Sequence, residues 1–150
     1  MALLIALHIL AAVVWVGGMF FAYVVLRPSA GPLEAETRLA LWHRVFGRFF
    51  PWVWLSIIVL LASGYGMIFL YFGGFAGARL SIHLMQGVGI VMMLLFGHVF
   101  FGPWRRFRDA VEARDFAQAG NRLNQIRRIV AVNLVLGLVT IIVGASGRFW

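Results

Sequence analysis

The stretch that decides the fold runs from residue 2 to residue 26 and reads ALLIALHILAAVVWVGGMFFAYVVL. It carries no Asp, Glu, Lys or Arg and is longer than the roughly 20 residues that cross a hydrocarbon core of about 30 Å as a helix. Three further apolar blocks follow at 49–72, 81–104 and 129–147. Because a backbone in lipid must satisfy its own hydrogen bonds, each block is expected to be helical. The sequence therefore predicts an all-α, integral membrane four-helix bundle.

The composition supports this fold class. Of the 150 residues, 63% are hydrophobic and 12% are charged, which is more apolar surface than a soluble domain of this size can bury. The length allows one domain, so residues 1–150 are predicted to form a single transmembrane domain. No basic residue precedes the first block, and the block exceeds the 7–15 apolar residues of a signal peptide. We therefore expect it to remain as a mature helix.

The basic residues predict how the bundle is oriented. All thirteen are arginine, and eleven of them lie in two connections, between the first and second blocks and between the third and fourth blocks. Only Arg79 and Arg148 lie elsewhere. This bias places both basic loops in the cytoplasm and the N and C termini outside, in the periplasm, as in a multi-pass protein of a bacterial inner membrane. The net charge of +8 is thus a topology signal that favours anionic lipid headgroups as partners, and nucleic acid is not expected.

Both basic connections have apolar residues at helical spacing. Amphipathic segments on the inner surface are therefore predicted at 33–48 and 105–127. We expect Arg27-Pro28 to end the first helix, because proline disfavours helical backbone at the residue before it. Pro51 is expected to kink the junction between the first amphipathic segment and the second span.

Two histidines within the spans are the main candidate site. An ionisable side chain in a span costs free energy, so each one marks a functional hypothesis. His8 and His83 are expected roughly 9 Å and 12 Å outward of the middle of their helices, counting about 1.5 Å per residue. Imidazoles at matched depth on two helices suit the axial ligands of a b-type haem. Ala11, Ala12 and Gly87 lie one turn away and would leave room for a porphyrin.

Two arginines near the outer surface extend this site. Arg79 lies four residues before His83, and Arg148 ends the fourth helix at the same level. Both are candidate partners for haem propionates. The alternative is purely structural, with His8 and His83 hydrogen-bonding to a neighbouring helix.

A second haem near the inner side is the next hypothesis. His98 follows His83 by fifteen residues, about 22 Å along the helix and on roughly the same side. His43 is the remaining histidine but is expected roughly 10 Å below His98, so Tyr23 and Met19 are other candidate ligands. A packed or hydrogen-bonded His98 is the alternative interpretation.

Copper is the alternative metal. Thioether and imidazole together form a soft ligand set suited to Cu(I), although methionine is also ordinary packing material. The absence of cysteine excludes disulfides, thiolate metal sites and thioether-linked haem. The sequence has no nucleophile–base pair, phosphate-binding glycine loop or zinc spacing, so hydrolysis and ATP-driven chemistry are not expected. The methionines within the spans are Met19, Met67, Met85, Met92 and Met93.

Several short motifs together carry a family resemblance. They are Ala6-Leu7-His8-Ile9, Trp15-Val16-Gly17-Gly18-Met19-Phe20, Arg44-Val45-Phe46, Ile82-His83-Leu84, His98 and Arg127-Arg128-Ile129. In these motifs the chain resembles the CopD/HemJ superfamily of small four-helix membrane proteins, over nearly its whole length.

The two branches of that superfamily imply different functions. The HemJ branch implies bound haem b and oxidation of protoporphyrinogen, with the residue matching His8 essential. Its pattern carries a lysine where this chain has Met85, which argues against copying that enzyme activity. The CopD branch implies copper uptake or tolerance, usually with a larger membrane domain.

The leading hypothesis is a small b-type cytochrome with haem b between the first and third spans. Two imidazoles would fill both axial positions of the iron, which favours electron transfer over oxygen chemistry. A quinol or another redox protein would be the partner. A HemJ-like protoporphyrinogen oxidase and a CopD-like copper transport or resistance protein are the alternatives. A homo-oligomer and a subunit of a larger membrane complex are both compatible with the sequence.

Overall fold

The computed structural model describes residues 1–147 and residue 149, and this part of the chain is helical with no strand. Four of the described helical stretches are long and apolar enough to cross a membrane, which confirms the all-α membrane fold. A short 3-10 turn at Phe75–Gly77 lies in the connection between the second and third stretches. The helices are α1 (Ala2–Ser29), α2 (Ala35–Tyr71), α3 (Leu80–Phe101), α4 (Pro103–Glu112) and α5 (Phe116–Ser146).

The four long helices form two antiparallel pairs. α1 packs mainly on α2, and α3 packs mainly on α5. The Met1 amino group donates to the Tyr71 hydroxyl at 2.6 Å, so α1 begins where α2 ends. In the other pair the Ser81 hydroxyl donates to the Gly147 carbonyl at 3.4 Å, so α3 begins where α5 ends. The first residues of α1 and α3 and the last residues of α2 and α5 therefore lie at one end of the bundle. The arginine-rich connections lie at the other end.

An aromatic core fills the arginine-rich half of the bundle. The Trp104 ring of α4 meets the Phe46 and Phe50 rings of α2 edge-on, with ring centroids 5.8 Å and 5.3 Å apart. Phe96 of α3 meets Phe50 at 5.4 Å and Trp15 of α1 at 6.2 Å. Edge-to-face pairs add to the free energy gained by burying the rings, so this cluster ties α1, α2, α3 and α4 together.

The connection between the last two spans is folded into this core. Its first part is α4, which buries Pro103, Trp104, Phe107 and Ala110, and Phe107 is fully buried. The backbone then turns at Arg114, where φ is +58°, before α5 begins. The single segment expected at 105–127 is thus two helices, because Gly102-Pro103 ends α3 and starts α4 and the turn at Arg114 reverses the chain.

The first helix continues beyond its expected stop at Arg27-Pro28. Residues Phe21–Leu26 form a π-helical segment, and the helix then extends through Ser29. The Arg27 N–H donates to the Ala22 carbonyl, one residue further back than in an α-helix. Pro28 then lies in the first positions of the α-helical segment Arg27–Ser29, where a missing N–H is tolerated.

The second helix runs without interruption from the basic connection into the span. Pro51 lies inside α2 with its ring exposed. The part before Pro51 buries Leu39, Trp42 and Phe46 in the aromatic core. This burial stabilises the helix on both sides of the proline, so the amphipathic segment and the span form one element.

Close approach of α5 to α1 and α3 depends on Gly137. A Cβ atom at this position would lie 2.8 Å from Val16 Cγ2 and 3.1 Å from Met92 Cε. We expect Gly137→Val to destabilise the protein by about 1–3 kcal/mol, because the added side chain overpacks this contact. Thermal unfolding in detergent, followed by circular dichroism, measures the change.

The matched control is Gly97→Val on α3, where an added Cβ meets no atom within 4 Å. Both variants carry the same change in intrinsic helix propensity, so the difference between their stabilities isolates the packing effect. Equal unfolding temperatures for the two variants would contradict this packing.

Candidate cofactor site

His8 is held by a hydrogen-bonded serine on the neighbouring helix. Its Nδ1 lies 2.8 Å from the Ser63 hydroxyl oxygen. The Ser63 hydroxyl donates its one proton to the Val59 carbonyl at 2.6 Å, so its oxygen is left to accept from His8. This pattern assigns the Nδ1–H tautomer to His8 and leaves the Nε2 lone pair available for a ligand.

A glycine on α2 gives the His8 ring its space. A Cβ atom at Gly64 would lie 3.3 Å from His8 Cε1, closer than ordinary van der Waals contact. Gly66, half a turn further along, faces Leu4 of α1 in the same way. The half-buried His8 ring therefore lies against Gly64, which has no side chain to displace it.

His83 lies on the other helix pair. It is exposed on the first turns of α3, and its ring makes no hydrogen bond or aromatic contact with the described residues. Arg79 is the exposed N-cap residue of α3, and Arg148 falls outside the described residues. The His8 ring bonds to Ser63 of α2, and no hydrogen bond or ring contact among the described residues joins His8 to His83.

The residues considered as ligands of a second haem are not joined to one another by a hydrogen bond or ring contact in the described part of the chain. The His43 ring stacks on Trp104, with centroids 5.6 Å apart and planes 29° apart. His98 is exposed near the end of α3, Met19 is buried in the core, and the Tyr23 ring lies beneath the Arg27 guanidinium at 4.8 Å. In the described part of the chain, no hydrogen bond or ring contact joins His98 to His43.

The ligand set limits which metals the described residues can hold by themselves. They contain no group of three or more His, Asp or Glu side chains placed to bind a metal ion. Met92 is buried, and its sulfur lies 4.0 Å from the Thr140 hydroxyl, which donates its proton to the Leu136 carbonyl at 2.8 Å. A haem iron takes only its axial ligands from protein, so it does not require such a cluster.

Sequence reasoning missed the polar partners that α2 supplies. Besides Ser63, the Tyr65 hydroxyl accepts from Gln86 Nε2 at 3.1 Å, which connects α2 to α3. Residue counting places Ser63 opposite His8 only once the pairing of α1 with α2 is known. In an antiparallel hairpin whose ends are Met1 and Tyr71, His8 must lie opposite residues about two turns before the end of α2.

Comparison with protein-family models matches residues 43–146 to the family described as Copper resistance protein D. The chain belongs to the CopD family. Neither the curated proteins nor the solved structures gave a match. The CopD match covers α3, α4, α5 and most of α2, and with them His43, His83 and His98, whereas His8 lies outside it. His8 is therefore a candidate ligand because of its hydrogen bond to Ser63, and the family match does not bear on it.

The hydrogen bond between Ser63 and His8 can be tested directly. In Ser63→Ala the His8 Nδ1–H loses its acceptor, and we expect the tautomer balance to move toward Nε2–H. The cost in stability should be about 0.5–1.5 kcal/mol, as for loss of one hydrogen bond. The ¹⁵N chemical shifts of the His8 ring nitrogens report the tautomer.

Ser56→Ala is the control for this variant. Ser56 is a buried serine on the same helix and makes no hydrogen bond to His8. Unchanged ring shifts in Ser63→Ala would show that the tautomer assignment is wrong.

Proposed function

We propose that this CopD-family membrane protein binds a b-type haem through His8 and carries electrons within the membrane. The observation that supports this is the orientation of His8, whose Nδ1 is bonded to the Ser63 oxygen; in the Nδ1–H tautomer, Nε2 carries the lone pair that a metal would take. Metal-bound histidines commonly have their second ring nitrogen fixed in this way, because it sets the tautomer and the ring plane.

The proposed second ligand is His83. Its helix begins at the end of the bundle where Met1 lies, so both histidines belong to the same half of the bundle. An exposed imidazole in a span is costly unless it finds a partner, and an iron atom would supply one. Gly87 lies one turn further along α3, and a Cβ there would meet no atom within 4 Å, so a flat macrocycle would have access beside His83.

Ligation by two imidazoles decides the class of chemistry. A haem held by His8 and His83 would supply one-electron transfer, and oxygen chemistry would not be expected of it. The exposed Arg79, one turn before His83, is suited to pair with a propionate carboxylate. A quinol or a redox protein would exchange electrons with the site, and the arginine distribution favours a bacterial inner membrane as the location.

Protoporphyrinogen oxidation is less well supported by this structure. Met85 occupies the position where the HemJ pattern carries lysine, and its sulfur faces Gly144 of α5. A Cβ atom at Gly144 would lie 2.7 Å from that sulfur, so the Met85 side chain fills the space between α3 and α5. Met85 is uncharged, so this position does not supply the positive charge that the lysine of the HemJ pattern would offer a propionate-bearing substrate.

Copper handling is the second candidate, and the family match favours it. The CopD family is described by copper resistance. Met67 follows Ser63 by one turn of α2 and is half-buried, so a thioether lies on the helical face that contacts His8. Imidazole and thioether are ligands that Cu(I) accepts.

The haem proposal predicts a coloured protein. Protein purified with adequate haem supply should contain about one haem per chain, with a Soret band and sharp reduced α and β bands. We expect His8→Ala to lose this absorption, because it removes the oriented ligand. Haem extraction and visible spectroscopy measure both quantities.

His43→Ala is the control, because His43 stacks on Trp104 in the other half of the bundle. Retention of haem in His8→Ala would contradict the proposed ligand, and a colourless, iron-free wild-type protein would remove the haem proposal. About one copper per chain in such a sample, lost in His8→Ala, would support the second candidate. A haem content of about two per chain that falls in His98→Ala would support a second haem near the inner side.

A further inference from the structure

Three arginines converge on one open cavity where α1 ends. The cavity has a volume of about 480 Å³ and lies between the end of α1, the start of α2 and the middle of α5. Arg27, Arg38 and Arg127 each come from a different one of these helices. α1 also contributes Tyr23 and Val24 of its π-helical segment to the wall of the cavity.

These arginines have no acidic partner. In the described part of the chain, ion pairs form only between Arg108 and the carboxylates of Asp109 and Glu112. Arg27 and Arg38 line the same cavity as Arg127, and the positive charge of each acts unfavourably on the Arg127 guanidinium. Holding like charges together costs free energy that a bound anion would offset.

Neighbouring groups fix two of the guanidinium groups in place. Arg27 lies over the Tyr23 ring, with its Cζ atom 4.8 Å from the centroid. Arg38 donates from Nη1 to the Gly31 and Leu33 carbonyls at 3.2 Å and 3.1 Å. Because these side chains are already ordered, a ligand would lose less entropy on binding them.

Arg127 is the most deeply placed of the three. Its Cζ lies 5.6 Å from the Trp42 ring centroid, and its Nη1 donates to the Asn124 side chain at 3.4 Å. Its Nε is buried and has no hydrogen-bond partner among the described residues. No carboxylate in the described part of the chain pairs with the Arg127 guanidinium, so its charge has no counter-ion there.

The surroundings of the cavity indicate a lipid as the source of the counter-ion. Val24 lines the cavity and is 47% exposed, and Phe20, Phe21 and Val25 of the same helix are also exposed. The cavity thus lies where the lipid-facing apolar surface of α1 meets a cluster of arginines. Basic pockets between transmembrane helices at the membrane surface are suited to phospholipid headgroups, and guanidinium groups pair well with phosphate.

We propose that Arg27, Arg38 and Arg127 bind the phosphate of an anionic phospholipid whose acyl chains lie along the exposed face of α1. This site is separate from His8 and its function does not depend on haem or copper. The site would fix the end of α1 against α2 and α5 at the headgroup level.

Native mass spectrometry of the full-length protein tests the proposal. The probes are phosphatidylglycerol, phosphatidylcholine and inorganic phosphate, each titrated into delipidated protein in detergent. We expect phosphatidylglycerol to bind about tenfold more tightly than phosphatidylcholine, and Arg27→Gln or Arg127→Gln to weaken it about tenfold, as for loss of a charge-assisted hydrogen bond.

Arg128→Gln is the matched control, since Arg128 is the exposed neighbour of Arg127 and does not line the cavity. It should leave phosphatidylglycerol binding within about twofold. Equal binding of the two lipids by the wild-type protein would overturn the proposal without reference to any variant. The proposal would also be overturned if Arg128→Gln weakened phosphatidylglycerol binding as much as Arg127→Gln does. Displacement of the lipid by millimolar inorganic phosphate would show that a free anion, and not a lipid, is the ligand.

Discussion

A polypeptide in hydrocarbon has no water to bond its N–H and C=O groups, and this constraint governs the whole chain. It makes each apolar block a helix and leaves only the ends of the helices and the connections free to take other forms. Three irregular features of the described structure lie near helix ends or in connections. They are the π-helical segment before Pro28, the break at Gly102-Pro103 and the left-handed backbone at Arg114. Two of them adjoin prolines, where a backbone donor is missing.

Lipid does not drive the helices together as water does, so packing must come from shape and from polar contacts. The two halves of this bundle use different means. The arginine-rich half is held by interlocking aromatic rings around Phe50 and Trp104. The other half is held by small residues and single hydrogen bonds, such as His8 with Ser63 and Ser81 with Gly147. The candidate cofactor site lies in this second half, where fewer large side chains compete for space.

The number of spans and their approximate positions could be predicted from the sequence, because hydropathy alone decides them. The neighbours of each helix could not. α1 and α3 are apolar except for a few polar residues, so no periodic pattern shows which side faces a partner. The depth of His8 follows from counting residues, whereas its contact with α2 follows from which helices pair. Likewise, the seven arginines between the third and fourth blocks indicate orientation but not that Arg127 meets Arg27 and Arg38 across the bundle.

The π-helical segment at Phe21–Leu26 has a geometric consequence for the end of α1. Each residue of an α-helix rotates the chain by about 100° and advances it by about 1.5 Å. A turn wound through one extra residue therefore changes the direction in which every later side chain leaves the axis, with little change in length. The backbone of the preceding turn thereby sets the direction in which the Arg27 side chain leaves the helix. The contact of the guanidinium with Tyr23 comes in addition. A chain that lost one residue in this turn would keep its charge and its hydropathy, yet would point that cation toward a different neighbour.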